Sequence, residues 1–105
     1  MTEIKFTANQ ARELQLENDV TKRNENVENL RNEIRDENKN NKVLANILYD
    51  ILLVAQTQMT RLVTAYIPND NKYQSIVKKL EQAGYSIISH KDLEEKDGSK
   101  IIIGF

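Results

Sequence analysis

His90 is the only histidine in the 105 residues, and it stands in SHKDLEEKD with Asp92, Glu94, Glu95 and Asp97 close behind. A histidine doing acid–base work must be held by a partner inside a pocket, and a hard cation needs carboxylates converging from fixed positions. Neither pattern fits. His90 falls where an expected strand runs into a polar loop, the carboxylate spacing is not that of an EF-hand, and Lys91 and Lys96 interrupt it. An exposed histidine and a solvated loop are expected.

The chain has no cysteine, which removes disulfides, thiolate metal sites and thiol nucleophiles together. Its three glycines, Gly84, Gly98 and Gly104, form no phosphate-binding pattern. Tyr49, Tyr66, Tyr73 and Tyr85 have apolar rather than basic flanks, so packing in or beside a core is expected in preference to stacking on bases. No catalytic, cofactor-binding or metal site is expected, and the chain is not expected to be an enzyme.

Charge points the same way. Met1 to Lys42 carries eight basic and nine acidic residues, the middle of the chain only Asp50, and Arg61 to Phe105 seven basic and six acidic. No segment is basic enough to supply the phosphate-neutralising term that dominates nucleic-acid affinity. The N-terminus lacks the basic start and apolar run of a signal peptide, so a reducing cytosol is the expected location.

The stretch VLANILYDILLVAQTQM, Val43 to Met59, is apolar almost all round. It reaches roughly 26 Å as a helix, short for a bilayer core of about 30 Å. Asp50 at its centre also costs roughly 2.5–3.5 kcal/mol on insertion scales. No membrane association is expected.

The first 67 residues contain neither glycine nor proline, so a long helical half is expected. Thr7 and Gln10 have capping-box spacing with Phe6 and Ala11 at staple positions, placing the helix start at Ala8. A heptad frame then puts Val20, Val27, Ile34, Asn41, Leu48 and Ala55 at a, with Leu16, Arg23, Leu30, Glu37, Leu44 and Ile51 at d. That seam predicts a coiled-coil-like helix running through DENKNNK, Asp36 to Lys42. The alternative is that DENKNNK joins two helices folded back as a hairpin.

The second half reads as strand, helix, strand, strand. Leu62 to Ile67 alternates and stops at Pro68; Tyr73, Ile76, Val77, Leu80 and Ala83 have helical spacing before Gly84; Tyr85 to His90 and Lys100 to Phe105 read as strands. The apolar run of KIIIGF suits a central strand, giving a split β-α-β sheet of order 1-3-2, with hairpin order 1-2-3 as the alternative. The fold class is therefore α+β: residues 1–60 a helical oligomerisation segment, residues 61–105 a β-α-β-β module packed on helix 43–59.

A three-stranded sheet has two faces. The Tyr73 to Ala83 helix is expected to cover one and the Val43 to Met59 helix the other, with Ile47, Ile51 and Val54 on the sheet. Leu44, Leu48, Leu52 and Ala55 then point elsewhere and need cover, since exposing three leucines forgoes about 1.5–3 kcal/mol each. Either the leading helix returns to supply that cover or further copies do. Heptad continuity favours a homo-oligomer joined through Val20, Val27, Leu30, Ile34, Asn41, Leu44, Leu48, Leu52 and Ala55.

From ANQAREL through YQSIVKKLEQAGYSI to KIIIGF, the chain resembles a group of short uncharacterised proteins of tailed phages infecting low-GC Gram-positive bacteria. The matching residues are Ala8, Ala11, Arg12, Leu14, Leu80, Gly84, Tyr85, Ile101, Ile103 and Phe105. The resemblance implies a phage origin and carries no activity with it. The expected function is a structural or assembly component, such as an accessory virion protein, acting through protein–protein contact. The alternative is a small module made during infection that captures or inhibits a host or defence protein.

Overall fold

The computed structural model describes residues 6–39, 41–57, 60–68, 73–93 and 98–105. Four helices and three strands run in the order α1 (Ala8–Leu16), α2 (Val20–Glu37), α3 (Lys42–Thr57), β1 (Leu62–Pro68), α4 (Tyr73–Gln82), β2 (Ser86–Leu93) and β3 (Gly98–Gly104). The class is α+β, and the sheet has the order β1-β3-β2 with both pairings antiparallel.

The long coiled-coil-like helix is not there. A continuous helix from Ala8 to Thr57 would be roughly 75 Å long, whereas the longest dimension of the chain is 43 Å. Three helices stand in its place, and the breaks are made by Asx side chains rather than by glycine or proline. Asp19 caps α2, its carboxylate accepting from the Lys22 amide at 3.1 Å. At the other end, the Asn38 side-chain amide donates back to the Ile34 carbonyl at 2.9 Å. Asn41 then starts α3, its Oδ1 accepting from the Leu44 amide at 3.2 Å. Short polar side chains satisfy helix ends this well because they mimic the missing backbone partner. The helix thus breaks within DENKNNK, after Glu37 and before Lys42, and α2 packs against α3, as the hairpin alternative requires.

The predicted start of α1 holds in detail. Thr7 and Gln10 form a full capping box, with both reciprocal hydrogen bonds present at 3.1 and 3.2 Å, and Phe6 and Ala11 are both buried. This segment is locked to the far end of the chain. The Ala8 amide donates to the Ala83 carbonyl at 3.0 Å, and the Tyr85 hydroxyl donates to the Phe6 carbonyl at 2.7 Å. The rings of Phe6 and Tyr85 meet edge-on, with centroids 6.5 Å apart. Gly84, at φ +92°, makes the turn that brings Tyr85 there; a side chain would be strained at that angle. Residues on either side of position 60 therefore share one core.

One expectation about the layers fails. α3 packs against β1 and α4 against β2, yet both lie on the same face of the sheet. Val63, Ala65 and Ile67 of β1, with Ile101 and Ile103 of β3, are buried under the helices. Leu62, Thr64 and Tyr66, which alternate with them, face outward and are exposed. The order 1-3-2 places β3 in the centre, and its in-register partners Val63 and Ile87 flank Ile103 on the helix side.

Burial pushes the Tyr85 hydroxyl far above the usual tyrosine range, opposed by the charge of Arg12. A tyrosine raised in the folded state contributes stability that is complete below its unfolded value, near 10, and is lost as pH climbs beyond it. Chemical denaturation as a function of pH should therefore show stability falling above about pH 10. Tyr85→Phe should cost about 1–2 kcal/mol at neutral pH, by leaving the Phe6 carbonyl without its donor, and should flatten that alkaline loss.

Candidate functional site

The residues expected to join copies together are brought together, but inside a single chain. Leu44, Leu48, Leu52 and Ala55 are buried on α3, and Val27 and Ile34 of α2 are buried against them. Leu30 is half-buried beside the α1–α2 groove that Leu14 also lines. Asn41 acts as a helix cap. Of the nine, only Val20 stands out in solvent, 58% exposed at the start of α2. Cover for the leucines comes from α1 and α2 of the same chain.

Of the histidine and acidic residues that raised the question of chemistry, only His90 has its side chain among the described ones. His90 is exposed on β2, in register with Ile101 of the central strand. The side chain of Asp92 and the residues Glu94, Glu95 and Asp97 lie outside the described residues. Among the described residues no group of three histidine, cysteine or acidic side chains is placed to hold a metal ion, and no helix is long and apolar enough to cross a membrane. Tyr85 is core and Tyr49 half-buried against it, while the side chain of Tyr73 is outside the described residues. Tyr66 departs from the expected packing: it lies on the outer face of the sheet, 44% exposed.

That outer face is the feature sequence reasoning missed. It carries Leu62, Thr64 and Tyr66 from β1, Lys100 and Ile102 from β3, and Ser86, Ser89 and Lys91 from β2. Ile88 joins them. It is the extra residue of a β-bulge between Ile87 and Ser89, and it stands 58% exposed. Leu62, 51% exposed, is its neighbour across the sheet.

Two glycines set the relief of this face. A Cβ at Gly104 would come within 2.9 Å of the end of Ile88 and 3.8 Å of Leu62. Ile88 and Leu62 therefore lean together over a strand position that has no side chain. At the opposite end a Cβ at Gly98 would run into the Tyr66 ring, which lies flat over that glycine. Below Leu62 and Ile88 is a shallow cleft of about 250 Å³ whose rim includes Arg12, Arg61 and Phe105. Arg61 is held there by Gln15, whose Oε1 accepts from its Nε at 3.0 Å, while the Gln15 amide donates to the Thr60 carbonyl at 2.8 Å.

The described charges of the face and its rim, Lys91, Lys100, Arg12 and Arg61, are all positive. The face is an apolar strip with basic side chains on and beside it. What it can do is bury against another surface, which is the usual meaning of exposed apolar side chains gathered on one face.

The alanine cost separates the internal seam from the surface. Leu48→Ala should lose about 2–5 kcal/mol and Leu48→Asp should unfold the chain without a dissociation step. Val20→Asp should stay within about 0.5 kcal/mol of the unchanged chain. Urea titration followed by circular dichroism checks all three.

No protein family matches this sequence, and neither a curated protein nor a solved structure is significantly similar to it.

Proposed function

We propose that this chain is a non-enzymatic contact protein, a small structural or assembly component of phage origin, and that it engages its neighbours through the uncovered face of its sheet. The supporting observation is the asymmetry of the layers. The two helices that pack on the sheet, α3 and α4, cover one side, and the other side carries Leu62, Tyr66 and Ile88 in solvent. A small domain with a free choice of surface residues would place polar side chains at these positions; three large apolar ones in one patch mark a surface that is covered in use.

The phage reading leans on the residues of the resemblance, several of which meet at one joint. Ala8 packs against Gly84, Ala11 and Leu14 extend the same buried face, and Tyr85 closes over Phe6. They are fold residues, and what they support is a shared architecture and not an activity.

A second reading has an observation of its own. With the leucine seam inside one chain, no helical rod sets copy number, which favours a module that captures a host or defence protein. The basic flanks of the open face suit an acidic target. Mass spectrometry of purified particles against infected-cell lysate separates the readings: an assembly component is enriched in particles, a capture module in lysate.

Ile88→Asp and Leu62→Asp should leave thermal stability within about 0.5 kcal/mol of the unchanged chain, since both side chains are largely in water. Either should abolish incorporation into particles. Incorporation at the unchanged level by both variants would remove the open face as the docking surface.

A further inference from the structure

The two edges of the sheet are built differently. β2 is guarded: it carries the bulge at Ile88, followed by His90, Lys91 and Asp92. Bulges and charges are the usual means of keeping an edge from pairing with another chain. β1 has neither. LVTAYIP holds no charge over its whole length and pairs with β3 without a register shift.

The hydrogen-bond phase of β1 is fixed at its start. The Phe105 amide donates to the Arg61 carbonyl at 3.1 Å, which makes this a hydrogen-bonded pair one step beyond Leu62↔Gly104. Antiparallel pairs alternate, so Val63, Ala65 and Ile67 direct their backbone groups to β3, while Leu62, Thr64 and Tyr66 direct theirs off the sheet. The Leu62 amide is satisfied locally, donating to the Thr60 hydroxyl at 3.2 Å. Thr64 is exposed, and its outward groups meet no described partner.

We propose that β1 pairs antiparallel with β1 of a second copy, about a two-fold axis through Thr64. In this register Thr64 faces Thr64 with two reciprocal backbone hydrogen bonds. Leu62 faces the second copy's Tyr66, twice over, so the exposed aliphatic and aromatic side chains of the open face cover each other. Such cross-strand pairs stabilise sheets.

On the helix side, Ala65 faces the second copy's Val63. Val63 and Ala65 are both buried in their own chain, and beside them Val43, Asn46, Ile47 and Asp50 of α3 line a groove of about 200 Å³ along the edge. Asp50 is exposed at the rim and keeps its water. A second copy is the occupant because the register is self-complementary and an uncharged strand offers no electrostatic handle to a different partner. The result is a six-stranded sheet with α3 and α4 of both copies on one side and a doubled open face on the other. The proposal rests on the reading of the chain as a contact protein.

Mass measurement over a dilution series, combined with hydrogen exchange at the Thr64 amide, tests it. The full chain should be a dimer at about 0.1 mM, with the Thr64 amide exchanging about tenfold or more slowly there than on dilution to monomer. Thr64→Pro removes the outward donor at an edge position that tolerates proline, and should weaken the dimer about tenfold or more. Should that variant not fold, Tyr66→Lys places a charge against Leu62 and should weaken it likewise, with circular dichroism reporting the fold. Ile88→Asp should leave the dimer intact, so loss of the edge and loss of the open face give different results. A monomer at every concentration, or dimers of unchanged strength in the folded edge variants, overturns the proposal.

Discussion

The constraint on which the rest of the structure depends is that α3 is apolar on every side and must be covered on every side. Ile47, Ile51, Leu44, Leu48, Leu52 and Ala55 are all buried, leaving only a strip with Asn46, Asp50 and Leu53 in solvent. With each leucine worth about 1.5–3 kcal/mol, the helix is worth as much as a small domain's whole net stability, about 5–15 kcal/mol. The chain meets that demand with its own length. α1 and α2 close over the sides that the sheet does not reach, and the breaks at Glu17 to Asp19 and Asn38 to Asn41 exist so that they can.

Spending both leading helices on α3 decides what happens to the sheet. α3 and α4 occupy one face, and no element remains to cover the other. That face adapts in part: Gly104 and Gly98 carry no side chains, and Ile88, Leu62 and Tyr66 lie across the spaces they leave. Folding over glycine shortens the exposed profile of a large side chain without hiding it. The face remains apolar at its centre and basic at its margin. It is on this surface that the proposed contact function rests.

Much of this was legible beforehand, and the rest was not for identifiable reasons. Periodicity and capping are local, and they located α1 at Thr7, α4 before Gly84 and the central place of KIIIGF. The heptad frame misled because 3.5 and 3.6 residues per turn are hard to tell apart over a few turns. A hairpin of two amphipathic helices shows the same apolar spacing as one rod. Glycine and proline are the stop signals expected from sequence, whereas Asp19, Asn38 and Asn41 bound these helices through side-chain hydrogen bonds. Which sheet face a helix covers is a long-range property, and alternation in LVTAYIP fits either choice. The bulge that turns Ile88 outward leaves no mark in single-sequence periodicity at all.

The contrast between the sheet's edges bears on how such a chain avoids uncontrolled association. An open apolar face together with two bare edges would invite endless edge-to-edge growth. Guarding β2 with a bulge and charges leaves a single edge for pairing, and pairing about a two-fold uses that edge up in both copies at once. Closed symmetry of this kind stops at two, because an isologous contact consumes the same patch on each partner. In the proposed pair the doubled sheet would present one continuous face, with Lys100 of both copies within it and Lys91 of both copies on its two outer strands. A face of that size approaches what a stable contact with a different protein requires, about 800 Å² per partner, which a lone three-stranded sheet of seven- and eight-residue strands supplies only in part.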